Sequence, residues 1–488
     1  MNNKLVYDVH DRPKFGAMLI FAIQQVLAIL AATIAVPAII GLPTQMPAAI
    51  LGAGIGTLVY QLFTRFQSPV FLGSSFAFLS SLGVAVAYGY CGILLGSVVA
   101  GLVYVLIALI IHFTGTAWVN RLMPPVIIGP TVALIGLSLA VNAMGDIVKA
   151  NASTLYGGYN LVSLVCGLVC FFVIIICSTQ KRRKMPRLIP FILGIGAGYL
   201  LAAGFTAIGL LADIDYLKII DFSPLVNNFY NADGTFRGLA AFFDYPHFAL
   251  LEGIKELTTG ALSPEIQAAS GNTASLLTWG GVAEVVIAFL PVALVVFAEH
   301  IADHKNLSSI IGKDLIQEPG LKRTLLGDGV GSIAGTVFGV CPNTTYGESV
   351  GCVAITRNAS VATITTTAIM CIVLSFISPL MALLQTIPSC VMGGACLTLY
   401  GFIAVSGLRM FKDLDLDDNK NLFVVAAILI SGIGGLTVQI PYMFNEAGVI
   451  TNVIKITSIA TALILGILTN FVLGKVQKSK LGQEKDGQ

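Results

Sequence analysis

Long stretches without charged residues, separated by short polar segments, make up most of this chain. Asp, Glu, Lys and Arg are absent from four windows, which are residues 66–120, 122–145, 188–212 and 358–408. Each window can hold one or more helices of the roughly 20 residues that cross a bilayer. Counted from residue 15, the pattern contains about fourteen apolar segments, several of them shortened or interrupted by Gly and Pro. The pattern therefore predicts an all-α polytopic membrane protein.

Two stretches of this pattern repeat each other. The sequence "GIGTLVYQLFTRFQSPVFLGSSFAF" begins at Gly54 and "GVGSIAGTVFGVCPNTTYGESVGCV" begins at Gly329, and their Gly and Pro landmarks correspond at offsets of 273 to 275 residues. If each unit has an odd number of segments, the second unit enters the membrane from the opposite side. Such inverted repeats commonly bind their cargo near the middle of the membrane, where interrupted segments present free backbone groups to a cavity.

The interrupted segments of the two units are residues 69–78 and 342–352. Both contain Pro, Gly, Ser, Thr and aromatic residues in an order that favours a short strand over a continuous helix. Because unpaired backbone groups inside a membrane are costly, we expect the two strands to pair with each other in antiparallel fashion. Each strand should lead into a half-helix whose N-terminus points at the middle of the membrane. The alternative is two ordinary helices kinked by Pro.

Composition and charge agree with this picture. The chain of 488 residues is 56% hydrophobic and 11% charged, against roughly 25% charged in soluble domains. A net charge of +2 does not point to a nucleic-acid partner. Lys and Arg fall in alternate turns, which places both termini in the cytoplasm and residues 213–280 outside. We expect no cleavable signal peptide, and the nine Cys read as small buried residues without a disulfide framework.

Two carboxylates in apolar stretches are candidates for chemistry. Glu299 follows fourteen uncharged residues, and Glu348 lies in a Gly- and Thr-rich break with Arg357 too far along the chain to pair with it. A charge near the bilayer centre costs on the order of 3 kcal/mol, so such a residue needs a function. The alternative is an ion pair or a solvated residue near the interface, which Asp303 and Lys305 fit well.

Neighbouring residues suggest what the carboxylates bind. Gly347 lets a ligand approach the backbone, and the rings of Tyr346 and Phe76 could face a flat heterocycle. His304 could hold a proton near neutral pH or could cap its helix. Because no third ligand group is evident near His300 and His304, we expect no metal, and we expect no cofactor. The site should therefore receive a planar molecule with several hydrogen-bond donors and acceptors.

Three motifs, "NTTYGESVGCVAITR", "GSSFAF" and "AEHIADH", together resemble the nucleobase-ascorbate transporter family, especially its bacterial uracil:proton symporters. The family signature runs from Glu348 to Arg357, with Ser349 in place of the usual Asn. A second departure is Gln24-Gln25 in the first segment, where the family usually has Gln-His. We expect a hydrogen bond from Gln25 to Ser75 as a weaker substitute for the missing imidazole.

The resemblance implies fourteen segments arranged as 7+7 inverted repeats, with a core domain and a gate domain. The expected boundaries are 15–115 and 281–384 for the two halves of the core, 120–212 and 387–475 for the gate, 213–280 for an extracellular loop and 476–488 for a cytoplasmic tail. By the same resemblance, Glu299 and His304 are linked to the proton. The expected substrate-binding residues are Glu299, Glu348, Phe76, Gly347, Tyr346, Ala32, Cys396 and Tyr400, and the supporting polar residues are Gln24, Gln25, Ser74, Ser75, Asn343 and Thr345.

The resulting functional expectation is proton-coupled nucleobase uptake by movement of the core against the gate, in a multi-pass protein of the bacterial inner membrane. Glu348 in the signature favours uracil, whereas Ser349 keeps a purine such as xanthine or urate open. An anion exchanger or channel of the same architecture is the alternative from another class. An enzyme is not expected, because no catalytic cluster is found. The family also implies a homodimer formed through the gate.

Overall fold

The computed structural model describes residues 5–149, 158–180, 186, 189–231, 233–444 and 450–486. Among the described residues, the first half of the chain forms eight α-helices and one short strand. Their bounds are α1 Phe15–Ile39, α2 Met46–Phe63, β1 Leu72–Ser74, α3 Leu79–Val86, α4 Gly89–Thr114, α5 Ala117–Leu122, α6 Pro125–Val148, α7 Leu161–Thr179 and α8 Pro190–Ala212.

The segment that follows α8 contains three short helices, which are α9 Ser223–Phe229, α10 Ala249–Thr259 and α11 Pro264–Ala269. The part of the second half that the structure describes then forms eight α-helices and three strands. Their bounds are α12 Trp279–Ile311, α13 Leu321–Val337, β2 Asn343–Thr345, α14 Gly347–Thr356, α15 Val361–Leu374, α16 Ser378–Gln385, α17 Ser389–Arg409, α18 Asn419–Ile433, β3 Val438–Phe444, β4 Ile450–Ile456 and α19 Ser458–Asp486.

Nine of the described helices are long and apolar enough to cross a membrane. They are α1, α2, α4, α6, α7, α8, α12, α17 and α19. Several others, such as α15 and α18, are apolar but shorter. The prediction of a multi-pass membrane protein is confirmed, whereas the full number of spans and the division into core and gate stay predictions.

The predicted pair of short strands is confirmed. β1 and β2 run antiparallel, with Leu72 opposite Thr345 and Ser74 opposite Asn343, and every residue of both strands is buried. β1 leads through the 3-10 turn Phe76–Phe78 into α3, and β2 leads into α14. Pairing satisfies backbone groups that would otherwise be unbonded in an apolar surrounding. The alternative of two Pro-kinked helices is therefore wrong.

A second sheet was not predicted. β3 and β4 form an antiparallel hairpin between α18 and α19, within residues that the sequence assigned to helical spans of the gate. Val438 and Ile440 are β-branched residues that favour strands, and Pro441 is poorly compatible with a helix interior. The expectation of an otherwise all-α chain is therefore corrected at this hairpin.

The repeat landmarks contact each other where α2 packs on α13. A Cβ atom added to Gly56 would lie 2.8 Å from the carbonyl oxygen of Gly331, and one added to Gly331 would lie 2.7 Å from that of Gly56. These two glycines correspond in the sequence repeat, so the contact is reciprocal. A reciprocal contact between equivalent positions is what a two-fold axis between the units would produce, and it supports the predicted inverted repeat.

Several basic residues lie at one end of the molecule, which we call the basic end and define by Arg65, Lys313 and Arg357. Gln67 and Lys313 line the same cavity, and Lys313 Nζ lies 3.0 Å from Asp8 Oδ2. The backbone N–H of Val6 donates to the carbonyl of Arg357 at 2.8 Å. The N-terminal segment therefore packs against the ends of α2, α12 and α14. These are turns that the charge pattern assigns to one side of the membrane.

Candidate substrate site

Helix α12 presents two carboxylates on one side, since residues four apart lie above one another on a helix. Glu299 is half-buried, and its Oε2 has no hydrogen-bond partner among the described residues. Asp303 is only 6% exposed, and its Oδ2 accepts a hydrogen bond from Thr345 Oγ1 at 2.7 Å. This bond ties α12 to the end of strand β2.

The junction between β2 and α14 supplies a third carboxylate and an open backbone. Glu348 lies half-buried in the first turn of α14, and Gly347 before it is exposed. A Cβ atom added to Gly347 would meet one atom within 4 Å, which is Asp303 Oδ1 at 3.8 Å. Glu299 interacts electrostatically with both Asp303 and Glu348. Asp303 therefore lies beside a bare stretch of backbone, and Glu299 and Glu348 lie close enough to interact with each other.

Aromatic residues close the site from the side of β1 and α17. Phe76 packs edge-to-face on Tyr400, with ring centroids 5.4 Å apart and planes at 85°. The hydroxyl of Tyr400 has no hydrogen-bond partner among the described residues, whereas that of Tyr346 donates to the Ser74 carbonyl at 3.0 Å. Ala32 on α1 and Cys396 on α17 are buried in the same hydrophobic cluster as these rings. The contact of Phe76 with Tyr400 joins the predicted core to the predicted gate.

The expected hydrogen bond from Gln25 to Ser75 is not formed. Gln25 Nε2 instead donates to Ser349 Oγ at 2.5 Å, and Ser75 Oγ has no partner among the described residues. The reason is geometric, because Gln25 on α1 faces the first turn of α14 rather than strand β1. Gln25 and Ser349, the two places where the chain departs from the family's usual residues, therefore bond to each other.

The remaining polar residues divide into bonded and unbonded ones. Asn343 Nδ2 donates to the carbonyl of Gly52 at 3.0 Å and so holds β2 against α2. Gln24 Oε1 and Ser74 Oγ are buried without a hydrogen-bond partner among the described residues. Unsatisfied buried polar atoms are costly, so these two mark places where a bound water or ligand would be stabilised.

His304 lies away from the carboxylates. It is five residues from Glu299, which on an α-helix is a rotation of about 140°. Its Nε2 lies 2.8 Å from the hydroxyl of Tyr60, and its Nδ1 lies 2.8 Å from the carbonyl of His300. The structure therefore does not bring His304 together with Glu299 and Glu348.

Asp303 is the site residue that sequence reasoning missed. The sequence assigned it to an ion pair or to the membrane interface, but the structure buries it beside Gly347. The spacing of four residues from Glu299 was the available signal, since i, i+4 residues share a helix face. His304, one residue further, falls on a different face.

Comparison with known proteins identifies relatives along nearly the whole chain. A family model described as Permease family, Xan_ur_permease, matches residues 16–440. The uracil permease of Bacillus caldolyticus is 36% identical over 476 residues, which cover 96% of this chain and 95% of that protein. The uracil permease of Bacillus subtilis strain 168 is 34% identical over 482 residues, covering 98% and 97%. That of Escherichia coli K12 is 31% identical over 436 residues, covering 88% of each.

Solved structures share the fold at much lower identity. The transmembrane domain of a cyanobacterium bicarbonate transporter, BicA, has a TM-score of 0.51 at 13% identity, covering 95% of this chain and 100% of that one. SLC26A9 has a TM-score of 0.57 at 10% identity, covering 95% of this chain and 66% of that one. At these identities the likeness concerns the architecture alone, and cargo has to be argued from the site.

Proposed function

The chain belongs to the Xan_ur_permease family, and on this premise we propose that it carries a nucleobase, uracil above all, across the membrane together with a proton. Its matched relatives are permeases, so the chain is a transporter and not an enzyme. The observation that carries the proposal is the group of three interacting carboxyl groups at the junction of α12 and α14, where Gly347 leaves the backbone open beside Asp303.

Uracil fits the chemistry of this group. Its ring is planar and carries two N–H donors and two carbonyl acceptors in one plane. Glu299 and Glu348 would accept hydrogen bonds from the ring N–H groups, and backbone N–H groups at Gly347 and Phe76 would donate to the carbonyls. Phe76, Tyr346 and Tyr400 would pack against the ring. A carboxylate that is left unpaired in an apolar site costs free energy, so the substrate supplies the missing partner.

Proton coupling is proposed to begin at Glu299. Glu299 lies on an apolar helix and its Oε2 lacks a partner among the described residues. The neutral acid, or a carboxylate paired with a donor, is therefore more stable there than an unpaired carboxylate. Binding of a proton there would prepare the site for uracil, and loss of the proton would release it. His304 is the second proton-linked residue, and its contacts place it on the opposite side of α12.

Transport itself is proposed to proceed by movement of the core against the gate. The contact of Phe76 with Tyr400 is one of the contacts that would change, because the two rings come from the two predicted domains. We further propose a bacterial inner-membrane location, cytoplasmic termini and a homodimer through the gate. Mass determination of the protein in nanodiscs tests the dimer.

An anion cargo is disfavoured in spite of the likeness to bicarbonate and SLC26 transporters. Three carboxylates around the site would repel an anion, and the half-helix N-termini alone would have to attract it. A purine such as xanthine or urate differs from uracil in size rather than in the kind of hydrogen bonds. The choice among bases is therefore a matter for measurement.

Counterflow in proteoliposomes tests the proposal. Vesicles loaded with unlabelled uracil should accumulate labelled uracil, and the initial rate of net uptake should rise with an inwardly directed proton gradient. Labelled xanthine and labelled sulfate serve as the competing cargoes. Counterflow of sulfate without counterflow of uracil would refute the nucleobase assignment. A thermal-shift series with uracil, thymine, xanthine, urate and adenine ranks the bases independently of transport.

A further inference from the structure

A series of hydrogen-bonded polar side chains runs through the buried interior on the side of α12 that faces away from the substrate site. His304 Nε2 lies 2.8 Å from Tyr60 Oη, and Tyr60 Oη lies 2.8 Å from Ser68 Oγ. All three side chains are fully buried, with 0% exposure. They come from α12, from α2 and from the turn after α2, so the series joins separate elements through side chains alone.

This series of side chains leads from the level of the substrate site on α12 to the basic end. His304 lies between Glu299 and the end of α12, and Tyr60 lies in the last turn of α2. Ser68 follows Arg65 in the next turn, and its neighbour Gln67 lines a cavity of about 300 Å³. His10 and Lys313 line the same cavity. The last hydroxyl of the series, that of Ser68, therefore follows directly in sequence a residue that lines a cavity at the basic end.

The positions of the hydrogen atoms in this series of side chains follow from the acceptors that they contact. His304 Nδ1 must donate, because its partner is the carbonyl oxygen of His300. Nε2 is therefore the nitrogen that gains or loses a proton. With neutral His304, Tyr60 donates to Nε2 and Ser68 can donate to Tyr60. With protonated His304, Nε2 donates to Tyr60 and Tyr60 donates to Ser68, so every bond reverses.

We propose that His304, Tyr60 and Ser68 form a proton path between α12 and the basic end, and that His304, the second proton-linked residue of the proposed function, releases its proton along it. The N–H bond at Nε2 breaks as an O–H bond forms on Tyr60. The former Tyr60 proton passes to Ser68, and the Ser68 proton passes to a water molecule that enters from the cavity beside Gln67. No electrons are transferred, and the path is restored when the hydroxyls rotate back. The proposal rests on the proton-coupled transport proposed above.

The other titratable groups around His304, among the described residues, do not hydrogen-bond to its Nε2. The ring of His300 stacks on that of His304 with centroids 4.1 Å apart. His300 Nδ1 lies 2.6 Å from Asp328 Oδ2 and its Nε2 lies 3.0 Å from Thr324 Oγ1, so both of its nitrogens are occupied. Tyr104 meets the edge of the His300 ring, and Asp303 is bonded to Thr345. Proton exchange at His304 is thereby directed to Tyr60.

Substitution of Tyr60 by Phe tests the path in proteoliposomes. Phe keeps the buried ring but removes the hydroxyl that joins His304 to Ser68. Exchange of labelled for unlabelled uracil returns the carrier with substrate and proton bound, so no proton has to leave. Net uptake driven by a proton gradient requires release. We expect Tyr60→Phe to keep exchange near the wild-type rate while net uptake falls about tenfold or more. Tyr104→Phe, a matched buried tyrosine off the path, should change neither rate.

Ser68 provides a second pair of variants that does not alter the aromatic packing. Ser68→Ala should show the same separation of exchange from net uptake, and Ser68→Thr, which keeps a hydroxyl, should restore net uptake. Equal losses of both rates in the Tyr60 and Ser68→Ala variants would overturn the path, as would net uptake at the wild-type rate. The proposed function fails separately, because the wild-type protein would then show no proton-driven uptake of uracil.

Discussion

Residue by residue, the candidate site combines three carboxyl groups with a backbone position that has no side chain. Asp303 is held by Thr345, whereas Glu299 Oε2 has no partner among the described residues. A bound ligand would therefore change the hydrogen bonding of the two acids of α12 in different ways. A substrate N–H would satisfy Glu299 and would compete with an existing bond at Asp303. Glu299 is accordingly the group whose charge should respond to binding.

Substitution of Glu299 by Gln should separate binding from coupling. Gln keeps the size and one acceptor oxygen but cannot take up or release a proton. We expect uracil-dependent thermal stabilisation to weaken and net uptake to become independent of the proton gradient. Uptake by Glu299→Gln that still followed a pH gradient would refute this role. Asp417→Asn, at an exposed residue outside the site and the cavity at the basic end, is the control and should transport like the wild type.

Substitution of Gly347 by Ala should impair binding without harming the fold. The added Cβ would meet Asp303 Oδ1 at 3.8 Å, which is an ordinary van der Waals distance, so little strain is expected. The methyl group would occupy space in which the substrate approaches the backbone. We expect the melting temperature to stay near that of the wild type while the Kd for uracil rises about tenfold, equivalent to roughly 1.4 kcal/mol.

Gly351, one turn further along α14, is the matched control for that substitution. A Cβ atom there would meet no atom within 4 Å. Gly351→Ala should therefore bind uracil like the wild type and should be no less stable, since Ala is the better helix former. Equal affinities of the two variants, measured by titration calorimetry in detergent, would remove Gly347 from the site.

Among the secondary-structure elements, the paired strands and their half-helices position the site and could be predicted from the sequence. The order of Pro, Gly, Ser and Thr in both units favours a strand over a continuous helix, and the cost of unpaired backbone in a membrane requires a partner for each strand. The repeat supplies that partner. The bond between Gln25 and Ser349 could not be predicted, because it depends on the rotation of α1 about its axis, which no local pattern determines.

The position of His304 shows a different limit. Resemblance to a family motif suggested that His304 acts together with Glu299, although its place five residues further along the helix turns its side chain by about 140°. Helix geometry alone, applied to the spacing of Glu299, Asp303 and His304, separates the two faces of α12. The hairpin of β3 and β4 was missed because its strands lie within a region whose apolar character also suits a helix.

The contact between α2 and α13 leads to a prediction on stability. Ala at Gly56 or at Gly331 would place its Cβ 2.8 or 2.7 Å from a carbonyl oxygen of the other helix, which is too close for either backbone to accept unmoved. We expect each substitution to lower the free energy of unfolding by about 1–3 kcal/mol. Thermal unfolding monitored by tryptophan fluorescence measures the loss. Gly83→Ala in α3, where a Cβ meets nothing within 4 Å, should show no loss.

Across the whole molecule, the segment between α8 and α12 is attached to the end opposite the basic end. Glu256 Oε2 accepts a hydrogen bond from the backbone N–H of Tyr90 at 2.9 Å, in the first turn of α4. Glu265 Oε1 accepts one from the backbone N–H of Thr44 at 3.1 Å, between α1 and α2. These two acids thus hold this segment against helices of the membrane-spanning part, and their charge should affect how firmly it is held.

The pH dependence of this attachment can be predicted from Glu256. Burial is the main cause that raises the pKa of Glu256 above its usual value of 4.5. When folding raises the pKa of an acid, the folded protein binds more protons than the unfolded protein does. The stability of the folded state is therefore greatest at low pH and falls as the pH rises through the raised pKa. Glu256→Gln keeps an acceptor for Tyr90 but removes the titration. We therefore expect the melting temperature of the wild type to fall more than that of Glu256→Gln between about pH 5 and about pH 8. Glu318→Gln at an exposed position should follow the wild type, and parallel curves for all three proteins would show that Glu256 does not control the attachment.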